Sequence, residues 1–321
     1  MLVSEAVEKT HLVAGVVTNL VLLYCIRRHT RLSLGAYKQL LTIFASFDLF
    51  LTILHGVIDP KMLIIDSVFG IHSNNGFMDR RVVCLYCSCF SVPFALLNIH
   101  FLYRYWTASR PHLIRLFSSK PFILLLVVIP IVEFIVWFLL CMYGLSGQVY
   151  DRAVEILRAE FELRHGQNVT EGWIIMNWQT TSETARLLPT LLAYDVIMAI
   201  SLTLALTLGI LTFNGIRRTW NVSRSKANLQ LRLFIAVIAQ TLVPFVCVYI
   251  PYFCVLTFTP LHLPVSGMAD LCFFLTSCFP AWDAVIIISL MTDYRHAVTS
   301  ALSRYARPPT LLPGLSQMTT M

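Results

Sequence analysis

The sequence predicts an all-α membrane protein, a bundle of seven transmembrane helices followed by a short C-terminal helix at the membrane interface. Three observations predict it. The chain has 321 residues, of which 57% are hydrophobic and only 13% charged, whereas a soluble domain carries about 25% charged residues. Its apolar residues gather in seven stretches near 7–26, 34–55, 83–103, 121–143, 191–213, 233–257 and 268–291, each close to the roughly 20 residues that cross a bilayer as helix. Alternate connections are purely basic. Residues 27–38 carry Arg27, Arg28, Arg31 and Lys38; 104–120 carry Arg104, Arg110, Arg115 and Lys120; 214–232 carry Arg217, Arg218, Arg224, Lys226 and Arg232, and none of the three holds an acid. The connections between them are mixed in charge. Short Lys/Arg-rich loops stay in the cytoplasm, so the pattern predicts an N-terminus outside and a C-terminus inside. Residues 1–291 then form one seven-span domain and 292–321 a cytoplasmic tail. The net charge of +7 sits beside the spans, where orientation and anionic lipid account for it, and it implies no nucleic acid.

The first span is the weakest. Its clean apolar part covers 12–26, with Glu5, Glu8 and Lys9 crowding the outer end. No basic stretch precedes it, so it is expected to serve as its own targeting signal. It contributes Asn19, the second span Asp48 and the seventh Asp283. Helix rise puts each about 10–15 Å from the inner end of its span. The three can therefore meet as a polar cluster. Such a cluster either binds a sodium ion or proton and changes with conformation, or holds the bundle together by interhelical hydrogen bonds. The third span opens with Cys84, Cys87 and Cys89, which no second Cys/His pair completes as a metal site, and ends with His100 and Arg104. Arg104 either engages a cytoplasmic partner or snorkels to lipid phosphate. Glu133 falls in mid-span in the fourth helix, where it contacts ligand or bonds to neighbouring helices. The long connection 144–190 repeats Val154, Leu157 and Phe161 at helical spacing among charges, which predicts an amphipathic helix over the bundle mouth. Its sequon at Asn168 is expected to accept glycan, and the one at Asn221 to stay bare. The sixth span contains Pro244 and Pro251 and the seventh Pro280, each expected to bend its helix. Residues 294–305 place Tyr294, Ala297, Val298, Ala301 and Tyr305 on one face, as expected of a helix on the inner leaflet. The outer halves of the spans are rich in aromatics, among them Tyr86, Phe90, Phe94, Tyr194, Tyr252, Phe253 and Phe273. That lining suits a small apolar ligand, and ordinary core packing uses the same residues.

Several blocks carry a family likeness. Gly15-Val-Val-Thr-Asn19 and Phe47-Asp48-Leu49-Phe50 resemble the first- and second-span motifs of rhodopsin-like G-protein-coupled receptors. Leu34-Gly35-Ala36-Tyr37-Lys38, the run His100-Phe101-Leu102-Tyr103-Arg104-Tyr105-Trp106 with Pro111, and the series from Leu229-Gln230-Leu231 through Gln240-Thr241-Leu242-Val243-Pro244-Phe245, Ile250-Pro251 and Phe279-Pro280-Ala281-Trp282-Asp283 to Asp293-Tyr294-Arg295 resemble the nematode seven-transmembrane chemoreceptors of the Str superfamily. The resemblance covers nearly the whole chain. It implies an odorant-type receptor in the plasma membrane of a sensory cilium, a small and even volatile ligand, a heterotrimeric G protein as partner, and no cofactor or catalysis. It further implies G-protein contact by Arg104 and Tyr105, beside the loop cations Arg217, Arg218, Lys226 and Arg232. Tyr103 stands where many rhodopsin-like receptors have an acid, so the restraint on Arg104 is absent or made differently. Pro280 precedes Asp283 instead of following it. The matching disulfide would use Cys84, but the long loop has no cysteine.

Two other readings share the hydropathy pattern. A channel-type odorant receptor places its N-terminus inside, opposite to the loop charges here. A non-signalling seven-helix protein satisfies the same pattern. A transporter built on inverted repeats would show internal symmetry, and none is seen. No Gly-x-Ser-x-Gly, His-Glu-x-x-His or P-loop sequence is present.

Overall fold

Seven helices long and apolar enough to cross a membrane make up most of the computed structural model, which describes residues 2–30, 36–65, 67–75, 79–145, 152–166, 171–179, 181–220, 223–261, 263 and 268–305. Asn168, Asn221 and the tail from 306 lie outside these residues. The first two spans are α1 (Leu2–His29) and α2 (Ala36–Ile58). The third is two helices, α3 (Arg80–Cys89) and α4 (Val92–Ser109). Sequence reading takes 83–103 as one helix; Pro93 explains the break, because it has no N–H to offer the carbonyl four residues back. Phe90 and Ser91 instead donate to Cys87 and Ser88 in tighter three-residue turns of 3.3 and 3.1 Å.

A 3₁₀ segment, Pro111–Ser118, tucks Phe117 among Tyr103, Trp106 and Phe122 and leads to α5 (Lys120–Leu139) and a wide π turn over Leu140–Leu145. The fifth span, α7 (Thr181–Trp220), is longer than its apolar core. It takes up residues that the charge pattern assigns to the preceding loop. The sixth consists of α8 (Arg224–Pro244), a π turn over Phe245–Tyr249 and α9 (Ile250–Phe258). The seventh is α10 (Met268–Leu290), and α11 (Thr292–Tyr305) comes after it, held to the first span by a 2.6 Å hydrogen bond between Tyr294 and Thr30.

The mixed-charge connections are not plain loops. Strands β1 (Pro60–Ile65), β2 (Val68–Ser73) and β3 (Ile174–Asn177) form an antiparallel sheet in that order, with Leu63 opposite Gly70 and Gly70 opposite Ile175. Both sheet faces are covered, which hides the strands from hydropathy reading: their runs look continuously apolar instead of alternating. Phe69, Ile71, Ile174 and Met176 pack on the bundle. Leu63, Val68 and Ile175 pack on the other side with Leu157 and Phe161 of α6 (Arg152–His165), the expected amphipathic helix. Burying these two side chains contributes about 1.5–3 kcal/mol each. Gly70 is required between the layers, since a Cβ there would stand 2.9 Å from Leu157 and 3.1 Å from the Trp173 ring. At the edge of this lid, Lys61 bonds Glu8 at 2.6 Å and Asp59 at 3.0 Å. Burial works to lower the Lys61 ammonium, but the two acids outweigh it and the net shift is upward.

His72 gives the lid a pH dependence. It is buried beside Phe161 and Trp173, and its Nε2 donates to the Glu171 carbonyl at 3.0 Å. Burial pushes it down from 6.5 to about 4 against the smaller upward pull of backbone carbonyls. Between those values the opened lid binds the proton that the closed lid refuses. The stabilisation is complete above pH 6.5 and declines as pH falls toward 4. Amide exchange in β2, corrected for its intrinsic pH dependence, should therefore accelerate across that window, and His72→Gln should flatten the profile. Protection that is equal at about pH 7 and about pH 5, on either side of the ordinary histidine value, would show that His72 does not hold the lid.

Candidate functional site

Three places concentrate the chemistry. The first is a cavity of about 400 Å³ under the sheet. The third, fifth and sixth spans build its walls with Tyr86, Phe90, Phe94, Leu191, Tyr194, Tyr249 and Tyr252, and Trp137 of the fourth closes one side. Phe69, Ile71, Ile174 and Met176 of the sheet form its roof. Six of the seven aromatics singled out from sequence line this cavity. Phe273 does not: it is 4% exposed and packs in the core beneath the sheet with Val255 and Cys272, because its helical face points into the bundle. Among the lining residues missed from sequence are those of the roof, Leu191, Trp137, Tyr249 and Asp195. Asp195 carried a usable signal, as an acid inside a span.

Tyr249 ties the cavity to both breaks in the bundle. It closes the π turn of the sixth span, its ring touches Phe94, and its hydroxyl donates to the Phe90 carbonyl at 2.5 Å. That carbonyl belongs to the break in the third span. On the far side, Tyr194 meets Cys141 at 2.9 Å and the Trp137 carbonyl at 3.3 Å. The nine cysteines form no disulfide, so the Cys84 bridge implied by the resemblance is not made. Among the described residues no three His, Cys, Asp or Glu are grouped to hold a metal.

The second place is mid-bundle. Asn19, Asp48 and Asp283 are all essentially inaccessible. The Asp48 and Asp283 carboxyls adjoin each other, and Gln240 adjoins Asp283. Asn19 donates to the carbonyls of Gly15 at 2.9 Å and Pro280 at 3.0 Å. Asn19 Oδ1, Asp48 Oδ2, both Asp283 oxygens and both polar atoms of Gln240 find no partner of hydrogen-bond geometry among the described residues. Gln240 is a member that sequence reading did not assign. Pro280 lies inside an unbroken helix, so of the three expected bends only the Pro244–Pro251 region is visibly remodelled.

The third place is the basic end. Arg104 is 1% exposed. Its guanidinium lies 3.4 Å from the centre of the Tyr37 ring and 5.6 Å from that of Tyr103, and Nε and Nη2 reach no acceptor among the described residues. It is not snorkelling to lipid. Tyr105 is half-buried, while Arg217, Arg218 and Arg232 are exposed; Lys226 lies on the same helix as Arg232.

A family model described as "Serpentine type 7TM GPCR chemoreceptor Str" matches residues 4–299. "Serpentine receptor class r-10" of Caenorhabditis elegans is 25% identical over 294 residues, covering 88% of this chain and 86% of the relative. Its Caenorhabditis briggsae namesake is 24% identical over 291 residues, covering 87% and 84%. "G-protein coupled receptor str-33" of Caenorhabditis elegans is 23% identical over 316 residues, covering 92% and 90%.

Proposed function

Since the chain belongs to the Str family of serpentine seven-transmembrane chemoreceptors, we propose that it detects a small apolar, odorant-type molecule in the cavity beneath the sheet and signals to a heterotrimeric G protein at its basic end. The sheet and N-terminus face outside, and the receptor sits in the plasma membrane of a sensory cilium. The observation that carries this reading is the cavity: about 400 Å³, within the range of small-molecule sites, and in contact with the Tyr249 π turn. Ligand against Tyr249 biases the sixth span; Arg104, freed from Tyr37, then meets the G protein with Arg217, Arg218, Lys226 and Arg232 around it. The buried Asp48, Asp283, Gln240 and Asn19 lie between these ends, and the hydrogen-bonding capacity they leave unfilled among the described residues suits a small cation or water that one conformation holds better than the other. Use of Asn168 as a glycan site belongs to the same topology.

The test is a screen of small volatile compounds on the chain expressed in a sensory cell, read by calcium or cGMP. Cys87, half-buried in the cavity wall, supplies the control. Cys87→Trp fills the space and should weaken the response to any activating compound by about tenfold or more at equal surface level. An undiminished response would place the ligand elsewhere.

A further inference from the structure

The cavity is closed toward the sheet and open toward the bilayer. Its roof residues Phe69, Ile71, Ile174 and Met176 are 1%, 6%, 1% and 2% exposed. The exposed members of its lining are Ala199 on the fifth span and Ile250 and Phe253 on the sixth, the last two at 44% and 52%. The packing of these two spans explains why. The inner half of the sixth, α8, packs closely on α7, but beyond the π turn the outer half, α9, does not. The extra residue of a π turn re-aims the helix beyond it. A cleft therefore separates the outer halves of the two spans, facing acyl chains. Asp195 lines the cavity on this side, half-buried, one residue from Tyr194 and one helical turn from Ala199. It is the one carboxylate in the lining, and it has no ion pair or hydrogen bond among the described residues. An acid at such a position is costly unless something pairs with it.

We propose that the ligand enters from the bilayer through the cleft between the fifth and sixth spans, and that it is a small apolar molecule carrying one hydrogen-bond-donating group, of the amine type, which Asp195 accepts. An apolar compound is concentrated in the membrane before it binds, so this route needs no opening of the sheet. It rests on the cavity being the ligand site. The probes are octylamine bearing an alkyl diazirine and the same chain without the amine, each dissolved in the lipid of nanodiscs holding the full chain. Photolabelled positions are read by peptide mass spectrometry.

Label is expected on the walls, at Phe94, Trp137 or Tyr249, with the amine probe in excess over the hydrocarbon. Ala199→Trp, at an exposed position, should plug the cleft and slow wall labelling by about tenfold or more. Phe253→Ala should widen it and speed labelling, which separates a plugged cleft from a misfolded protein. Asp195→Asn should remove the excess of amine over hydrocarbon probe without slowing the hydrocarbon. Wall labelling at the same rate in the wild type, Ala199→Trp and Phe253→Ala overturns the lateral route and leaves the cavity as the ligand site. An amine excess that persists in Asp195→Asn overturns the anchor. No wall label from either probe in the wild type overturns the cavity itself as the site.

Discussion

Arg104→Ala is expected to abolish the response to any activating compound while leaving surface expression largely intact. The side chain is large, charged and buried, and among the described residues its guanidinium packs on two tyrosine faces with no acid paired to it. A desolvated cation over a ring is stabilised by about 2 kcal/mol, which does not match the cost of burying an ion whose Nε and Nη2 find no acceptor among the described residues. Removing this charge should not harm folding, so a loss of response at equal surface level would be a loss of signalling. The same geometry predicts the opposite effect at Tyr37. Tyr37→Leu keeps an apolar side chain in the core but removes the ring face. It should raise basal signalling, with the resting-to-active equilibrium shifting by up to about thirtyfold for a contact of about 2 kcal/mol. Unchanged basal signalling in Tyr37→Leu would reduce the ring to core packing. A normal response in Arg104→Ala would remove Arg104 from the coupling site.

Long-range composition is the part of this fold that the sequence states openly. Seven apolar runs correspond to seven spans, and the Val154, Leu157 and Phe161 spacing corresponds to the helix over the mouth, because helical periodicity survives in a single segment. The sheet is not legible. Its strands Pro60–Ile65 and Val68–Ser73 are short and covered on both faces, so they show no apolar–polar alternation to set them apart from the mixed-charge loop around them. Asp48 and Asp283 can be paired from depth alone, since an acid within a span is rare enough to count. Gln240, uncharged, raises no such signal until the fold places it beside Asp283. Arg104 is placed at the basic end by its neighbours in sequence, but its partner Tyr37 lies on a different span and looks like any membrane-interface aromatic. Phe273 shows the converse error: aromatic content in an outer half-span does not say which face the ring occupies.

The largest motion expected is in the sixth span. Pro244 deprives the Gln240 carbonyl of its donor and Pro251 does the same for Cys247, and between them the helix widens into the π turn at Phe245–Tyr249. The turn is a joint with the cavity above it and the Asp283–Gln240 contact below. On the proposed reading, ligand pressing on Tyr249 would strain its bond to the Phe90 carbonyl, and a swing of α8 away from the third span would relieve it. Spin labels at Arg110 and Arg224, both exposed at the basic end, should move apart when an activating compound is added, by several ångströms if the swing resembles other domain-scale switches. Pro244→Ala restores a donor to the Gln240 carbonyl and favours a regular helix. The response should then fall by about tenfold or more, the effect of roughly 1.4 kcal/mol on a two-state equilibrium, with binding of the same compound weakened less. If binding, expression and response all fall together, Pro244 only shapes the folded bundle. A label distance that stays constant in a preparation shown to couple would rule out the swing, and with it the route from the cavity to Arg104.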